Sequence, residues 1–149
     1  MCGSGGTATY LAKRGANTVG FDISFRQLEL YYAKFKSGNS ICCYAYNICL
    51  LNGSVDSIVV IGGLHHLHPR INDALNEFHR LLKEHGSIYF CEPHSGSLPD
   101  IFRRIWYRFD PLFLPNESAI DINKIISENK DYFKFKVLGY YGNLAYLII

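Results

Sequence analysis

Two periodicities alternate along the first ninety residues, and that alternation constrains the fold more than any single motif. Thr7 to Arg14 reads as a helix, stopped by Gly15. Asn17 to Asp22 (NTVGFD) reads as a short buried strand. Ser24 with Gln27 three residues on is a capping-box pattern. It opens a helix expected to carry Phe25, Leu28, Tyr32 and Phe35 on one face and to end at Gly38. Ile41 to Tyr46 (ICCYAY) is a further strand, and Asn52-Gly53-Ser54 is a turn. Val55 to Ile61 (VDSIVVI) is a near-continuous β-branched run, the pattern of a strand covered on both faces. Ile71, Leu75, Phe78 and Leu82 then recur at helical spacing, ahead of Gly86 and a buried strand at Ser87 to Cys91 (SIYFC).

Such alternation implies an α/β fold with a doubly wound, mostly parallel sheet. Further on, Leu98 to Phe109 reads as a helix with Pro99 in its first turn, and Asp121 to Asn129 as a weaker one. Phe133 to Tyr141, Gly142-Asn143 and Leu144 to Ile149 read as an antiparallel hairpin at the C-terminus. The start is unusual. Gly3-Ser4-Gly5-Gly6 is a turn of the kind that joins a buried strand to a helix, yet the strand that should lead into it is absent. The expectation is one domain over residues 1–149 with its first strand missing, as in a front-truncated chain. The strands on either side of the gap would then have unpaired backbone groups, and the chain would be less stable than one extended upstream.

Composition narrows the class. With 48% hydrophobic and 19% charged residues the chain is globular rather than disordered. A net charge of +2 gives no reason to expect nucleic acid as a partner. No apolar run reaches the roughly 18 residues of a membrane span, and the glycine-rich start is unlike a secretory leader. The five cysteines, an odd number with no CxxC pair, argue for reduced thiols in a cytoplasmic protein and against structural zinc.

Ligands of parallel α/β sheets sit outside the carboxyl ends of the strands, so chemistry is sought there. Gly3 and Gly5 would let the backbone pass close to a ligand, and the helix start behind them offers free N–H groups. Asp22, 19 positions after Gly3, ends the next strand. A carboxylate there, an acceptor-only group with two oxygens, suits the two hydroxyls of a ribose. The plainer reading is that Asp22 only caps the helix starting near Ser24.

Gly3-Ser4-Gly5-Gly6 followed by Val19-Gly20-Phe21-Asp22-Ile23-Ser24 resembles the first two motifs of class I S-adenosylmethionine-dependent methyltransferases. Val55-Asp56-Ser57-Ile58-Val59, Leu64-His65-His66-Leu67, Leu82-Lys83-Glu84-His85-Gly86 and Glu92-Pro93 continue that resemblance, in order, over about residues 1–94. The resemblance implies a Rossmann-like fold, S-adenosylmethionine as cofactor and methyl transfer to an O, N or C nucleophile, with a small molecule as the expected acceptor. It also implies roles. Gly3 and Gly5 would lie beside the methionyl part, Asp22 would hold the ribose, and Ile23 and Ala45 would flank the adenine. Ile61, Gly62 and Leu64 would line the far side of the cofactor. Three departures stand out: the residues that usually precede Cys2 are missing, Tyr44 replaces an aspartate common before Ala45, and Glu84-His85 replaces a proline-glycine.

His65, His66 and His68 cluster after the fourth strand of that pattern, and His94 follows the fifth. His66 or His94 is a candidate general base toward a substrate hydroxyl. A metal site from His65, His66, His94 and Glu92 is the less favoured reading, because adjacent histidines seldom face one ion. The plainest reading is pocket wall and helix capping. Residues 95–129 are the candidate acceptor-selecting or lid region. Within it Phe102 to Phe109 (FRRIWYRF) reads as an amphipathic helix covering the site, with a membrane surface as the less expected contact. Two other functions stay open. Gly3-x-Gly5-x-x-Ala8 formally fits an NAD(P)-dependent oxidoreductase, although no Tyr-x-x-x-Lys pair is present. An inactive remnant of a methyltransferase is the other.

Overall fold

A computed structural model describes residues 1–36, 38–96, 100, 118–136 and 139. The chain separates into two compact units, one of Met1–Gly63 with Asp73–Cys91, the other of Leu64–Asn72 with Glu92–Ile149.

The first unit holds the alternating elements. Helix α1 spans Gly6–Ala12, strand β1 Val19–Asp22, helix α2 Phe25–Lys34 and strand β2 Asn39–Cys42. Strand β3 spans Val55–Ile61, helix α3 Ile71–Leu81 and strand β4 Leu82–Cys91. Both strand pairs are parallel, as the alternation predicts: β1 with β2, placing Asp22 opposite Cys42, and β3 with β4, placing Ile61 opposite Cys91. The β4 strand starts five residues earlier than Ser87. Its first part bulges, since Val55 faces Leu82 while Ser57 already faces Ser87. The left-handed His85 (φ 64) lies in that bulge, at the place where Glu84-His85 departs from the family pattern.

The strand pairs form two separate two-stranded sheets. Between them lies an apolar cavity of about 80 Å³ lined by Val19 and Phe21 of β1 and by Val55, Ile58 and Val59 of β3, closed by Leu81. At the carboxyl end of β1 the gap is met by the first two residues of the chain. The Cys2 N–H donates to the Phe21 carbonyl at 2.8 Å and the Met1 ammonium donates to the same oxygen. Fusing a short β-branched strand ahead of Met1 is expected to open this slot and give both edges a ladder partner. Its thermal midpoint should exceed that of the unextended chain; equal midpoints would contradict the expectation.

Helix α2 corrects one detail. Ser24 caps it as the capping box predicts, accepting from the Gln27 N–H at 3.4 Å. Its buried face, however, is Leu28 and Tyr31, whereas Phe25 and Tyr32 are exposed. The reason is that three glycines clear a space for the Tyr31 ring. A Cβ at Gly5 would fall inside the ring, one at Gly38 would come within 2.7 Å of it, and one at Gly20 within 3.0 Å. A second correction concerns β3, in which only alternate residues are buried: Ile58 and Val60 are inside, while Val59 and Ile61 are exposed. β-branched content alone does not reveal which face is covered.

In the second unit, a 3₁₀ turn spans Leu64–Leu67 and helix α4 spans Ile122–Asn129, capped by Asp121, which accepts from the Lys124 N–H at 3.1 Å. Ile120, Ile122 and Ile125 are buried. The buried Asn129 amide donates to the Asn72 side chain and to the Ile125 carbonyl. The expected helix over residues 98–109 lies outside the described residues, apart from the buried Asp100, which accepts from the Gly96 N–H at 3.0 Å. The expected hairpin also lies outside them, except that Phe133 to Lys136 carry no strand.

The Tyr31–Gly5 contact is testable. Gly5 has φ 77, so Gly5→Ala adds backbone strain to a steric clash and should cost roughly 2 kcal/mol or more in chemical denaturation. The Tyr31 hydroxyl is buried and has no hydrogen-bond partner among the described residues. Tyr31→Phe should therefore be neutral or stabilising by up to about 1 kcal/mol.

Candidate functional site

The glycine turn, β1 and the start of α2 meet at one carboxylate. Asp22 is buried at the carboxyl end of β1. Its Oδ2 accepts from the Gly3 N–H at 2.8 Å, and its Oδ1 accepts from the Ser24 N–H at 2.9 Å. The Met1 ammonium lies 2.9 Å from Oδ2. Burial raises the carboxyl's pKa, but the hydrogen bonds from the ammonium, Ser24 and Gly3 outweigh it and hold the value below the ordinary range. The α2 cap itself is Ser24; Asp22 holds the N–H of that cap residue, and it also grips the glycine turn. Gly3 (φ 51) and Gly5 (φ 77) both take the left-handed conformation that favours glycine.

The neighbouring strand end adds an apolar wall. The Cys43 N–H donates to the Asp22 carbonyl at 3.0 Å. A tight turn follows, in which the Asn47 N–H returns to the Tyr44 carbonyl at 3.1 Å. Ala45 is buried within it, and Tyr44 and Tyr46 stack with ring centroids 5.0 Å apart. Ile23 is exposed beside Asp22. Of the β3 end, Ile61 and Gly62 are exposed, and the Gly62 N–H bonds to the Cys91 carbonyl at 2.9 Å. Thus Gly3, Gly5, Asp22, Ile23 and Ala45 gather at the edge of the β1–β2 sheet, while Ile61 and Gly62 end β3.

Leu64, expected to line the cofactor, sits in the second unit and is fully buried. Its N–H donates to Glu92 Oε1 at 2.8 Å. Glu92 Oε2 accepts from the His65 N–H at 3.3 Å and lies 2.8 Å from His65 Nδ1. The Glu92 side chain is 1% exposed and that of His65 15%. When Nδ1 carries the proton toward this carboxylate, Nε2 is left as the acceptor. His66 is exposed, its ring stacked 4.0 Å from that of His65. His94 forms an isolated parallel bridge with Ile120. The sequence grouped Glu92 with His65 only in the less favoured metal reading; the structure joins the two directly, as a carboxylate–histidine pair. Among the described residues no group of three or more His, Cys, Asp or Glu could hold a metal ion. No helix among them is long and apolar enough to cross a membrane.

The site is thus a left-handed glycine turn locked to a strand-end carboxylate in a parallel α/β frame. The family described as "Methyltransferase domain" matches residues 1–90, and the chain belongs to it. Among solved structures, a Pyrococcus horikoshii protein is 26% identical, with a TM-score of 0.57, over 70% of this chain and 50% of that one. A SAM-dependent methyltransferase of Methanosarcina mazei aligns at 17% identity and TM-score 0.71, covering 87% of this chain and 74% of the other. One from Archaeoglobus fulgidus aligns at 21% and 0.64, covering 85% and 56%. The last two likenesses are of fold. The chain spans half the length of the Pyrococcus protein. No curated protein matches it. Family membership takes the glycine pattern away from the oxidoreductase reading and confirms a Rossmann-like fold.

Asp22 makes stability depend on pH with a definite sign. Its folded pKa is depressed, so its contribution is complete above the unfolded value of about 3.9 and is lost as pH falls through the lower folded value. Denaturant midpoints of the native chain should fall between about pH 5 and pH 2, while those of Asp22→Asn should fall less over that window. Parallel curves would refute this assignment.

Proposed function

We propose that this chain binds S-adenosylmethionine at the carboxyl edge of β1 and β2 and catalyses methyl transfer to a small-molecule acceptor. The observation that carries the reading is the Asp22 carboxylate, locked to the glycine turn through the Gly3 N–H at 2.8 Å. The donor set fits the cofactor. An ionised carboxylate offers about four acceptor positions, and three donors reach it here, from Gly3, Ser24 and Met1. One position is left for a ribose hydroxyl while the Met1 ammonium stays, and two once it is displaced.

Gly3 and Gly5 would lie along the methionyl part, where the absence of side chains lets the backbone approach. Ile23 and Ala45 would sandwich the adenine, with the Tyr44–Tyr46 stack beside it. Ile61 and Gly62 would bound the far side. When bound, S-adenosylmethionine supplies a methyl group already activated by its sulfonium, so the protein's task is chiefly to position the acceptor and exclude water. Where the acceptor must lose a proton, His66 and His94 are the histidines suggested by the sequence. His65, whose Nδ1 lies 2.8 Å from Glu92 Oε2, is a third candidate whose ring is held in place. The acceptor's identity would be set by residues 95–129. A cytoplasmic location is in keeping with five free thiols.

Calorimetric titration with S-adenosylhomocysteine and with NADH tests the reading. The chain should bind the former and not the latter, and Asp22→Ala should weaken binding by about tenfold or more, equivalent to about 1.4 kcal/mol. Binding of NADH alone would overturn it.

A further inference from the structure

Two side chains on one turn of α3 hold a loop that belongs to another part of the first unit. Glu77 and Arg80 pair bidentately, Nε to Oε2 at 2.8 Å and Nη2 to Oε1 at 2.7 Å. Neither stops there. Glu77 Oε1 accepts from the Ile48 N–H at 2.7 Å, and Arg80 Nη2 donates to the Ile48 carbonyl at 2.9 Å. Arg80 Nη1 donates to the Leu50 carbonyl at 2.9 Å and to Asn52 Oδ1 at 2.6 Å. The pair thus satisfies both backbone groups of Ile48 and fixes the chain for several residues beyond it. The Glu77 carboxyl is held below its ordinary range, chiefly by its hydrogen bonds to Arg80.

What the pair grips is the far end of the turn that starts beside Asp22. One end of that turn is tied to β1, where the Cys43 N–H meets the Asp22 carbonyl. The other end is Ile48, buried and clamped by Glu77 and Arg80. Between the two anchors stand Tyr44, Ala45 and Tyr46. A ligand whose ribose is held by Asp22 carries its base toward this turn, because β2 lies alongside β1 in register, with Cys42 opposite Asp22.

We propose that Glu77 and Arg80 are positioning residues for the cofactor's base, setting the height of the Tyr44–Ile48 turn over the adenine. The proposal rests on S-adenosylmethionine binding as read above. It differs from a role in stability alone by predicting that the loss on mutation is confined to ligands that carry a base. Arg80→Met and the isosteric Glu77→Gln would be titrated with S-adenosylhomocysteine and with S-ribosylhomocysteine, the same molecule without its adenine. Measurements would be made well below each variant's melting temperature. Both variants should raise the Kd for S-adenosylhomocysteine about tenfold, equivalent to about 1.4 kcal/mol, and change that for S-ribosylhomocysteine less than twofold. Arg80→Lys should restore part of the loss, since one ammonium reaches fewer of the same acceptors. Should Arg80→Met fail to fold, Glu77→Gln still decides the matter, because it keeps shape and removes only charge. Equal weakening toward both ligands, or unchanged affinity for S-adenosylhomocysteine, would overturn the proposal. If the native chain binds no S-adenosylhomocysteine, the functional reading itself fails instead.

Discussion

The Asp22 carboxylate is the interaction on which the candidate site depends. One side chain satisfies the Gly3 N–H in the opening turn and the Ser24 N–H at the mouth of α2. Those donors come from two separate loops, one ahead of α1 and one ahead of α2. Hydrogen bonds to an ionised acceptor are about twice as strong as neutral ones, and a buried N–H left without a partner carries the full cost of desolvation. The carboxylate thereby converts a flexible glycine turn into a defined surface. The glycines remain necessary because both take left-handed angles and because the Tyr31 ring occupies the space where a Gly5 side chain would be.

Much of the fold was legible because parallel α/β structure writes itself in local periodicity. The α3 helix begins at Ile71, where its apolar spacing begins, and the Ser24 cap was visible as a short-range pattern. Errors arose where burial is decided at long range. Phe25 and Tyr32 fit a helical stripe as well as Tyr31 does, yet Tyr31 is the buried one. Its partners are glycines at positions 5, 20 and 38, which carry no hydropathy signal and are brought together only by the fold. The early start of β4 has a similar cause: Lys83, Glu84 and His85 look like a polar turn, and they enter the strand as a bulge opposite β3.

The site was legible in part. Asp22 could be placed by its spacing from the glycines, because that distance is set by one helix and one strand. What it bonds could not, since holding the α2 entry and holding a ribose ask for the same residue at the same place. Glu77 and Arg80 gave no signal of function at all. As an i, i+3 pair on an amphipathic helix they read as a solvated face, the usual meaning of such a pair. Only the return of the chain at Ile48 to Asn52 gives them partners worth holding. Glu92 was grouped with His65 as a candidate metal ligand, but its part in holding the Leu64 and His65 backbone depends on contacts that the sequence around it does not show.

These carboxylates share one physical task. Asp22 takes the N–H groups of Gly3 and Ser24, Glu77 that of Ile48, and Glu92 those of Leu64 and His65. Each follows a strand or sits on a helix, and each receives donors from a loop that has no ladder of its own. Loop backbone must find acceptors or water, and water would leave the loop mobile. A carboxylate supplies two strong acceptors on a short stem, so it can fix a loop without filling the space a ligand needs. The roles then diverge by what remains after the backbone is served. Glu77 gives its remaining capacity to Arg80, which makes it a clamp. Glu92 turns to His65 Nδ1, which orients an imidazole. Asp22 holds the Met1 ammonium beside the glycine turn. Of the three it is therefore the one on which the proposed ribose contact rests, with the ribose hydroxyl taking the place of the ammonium.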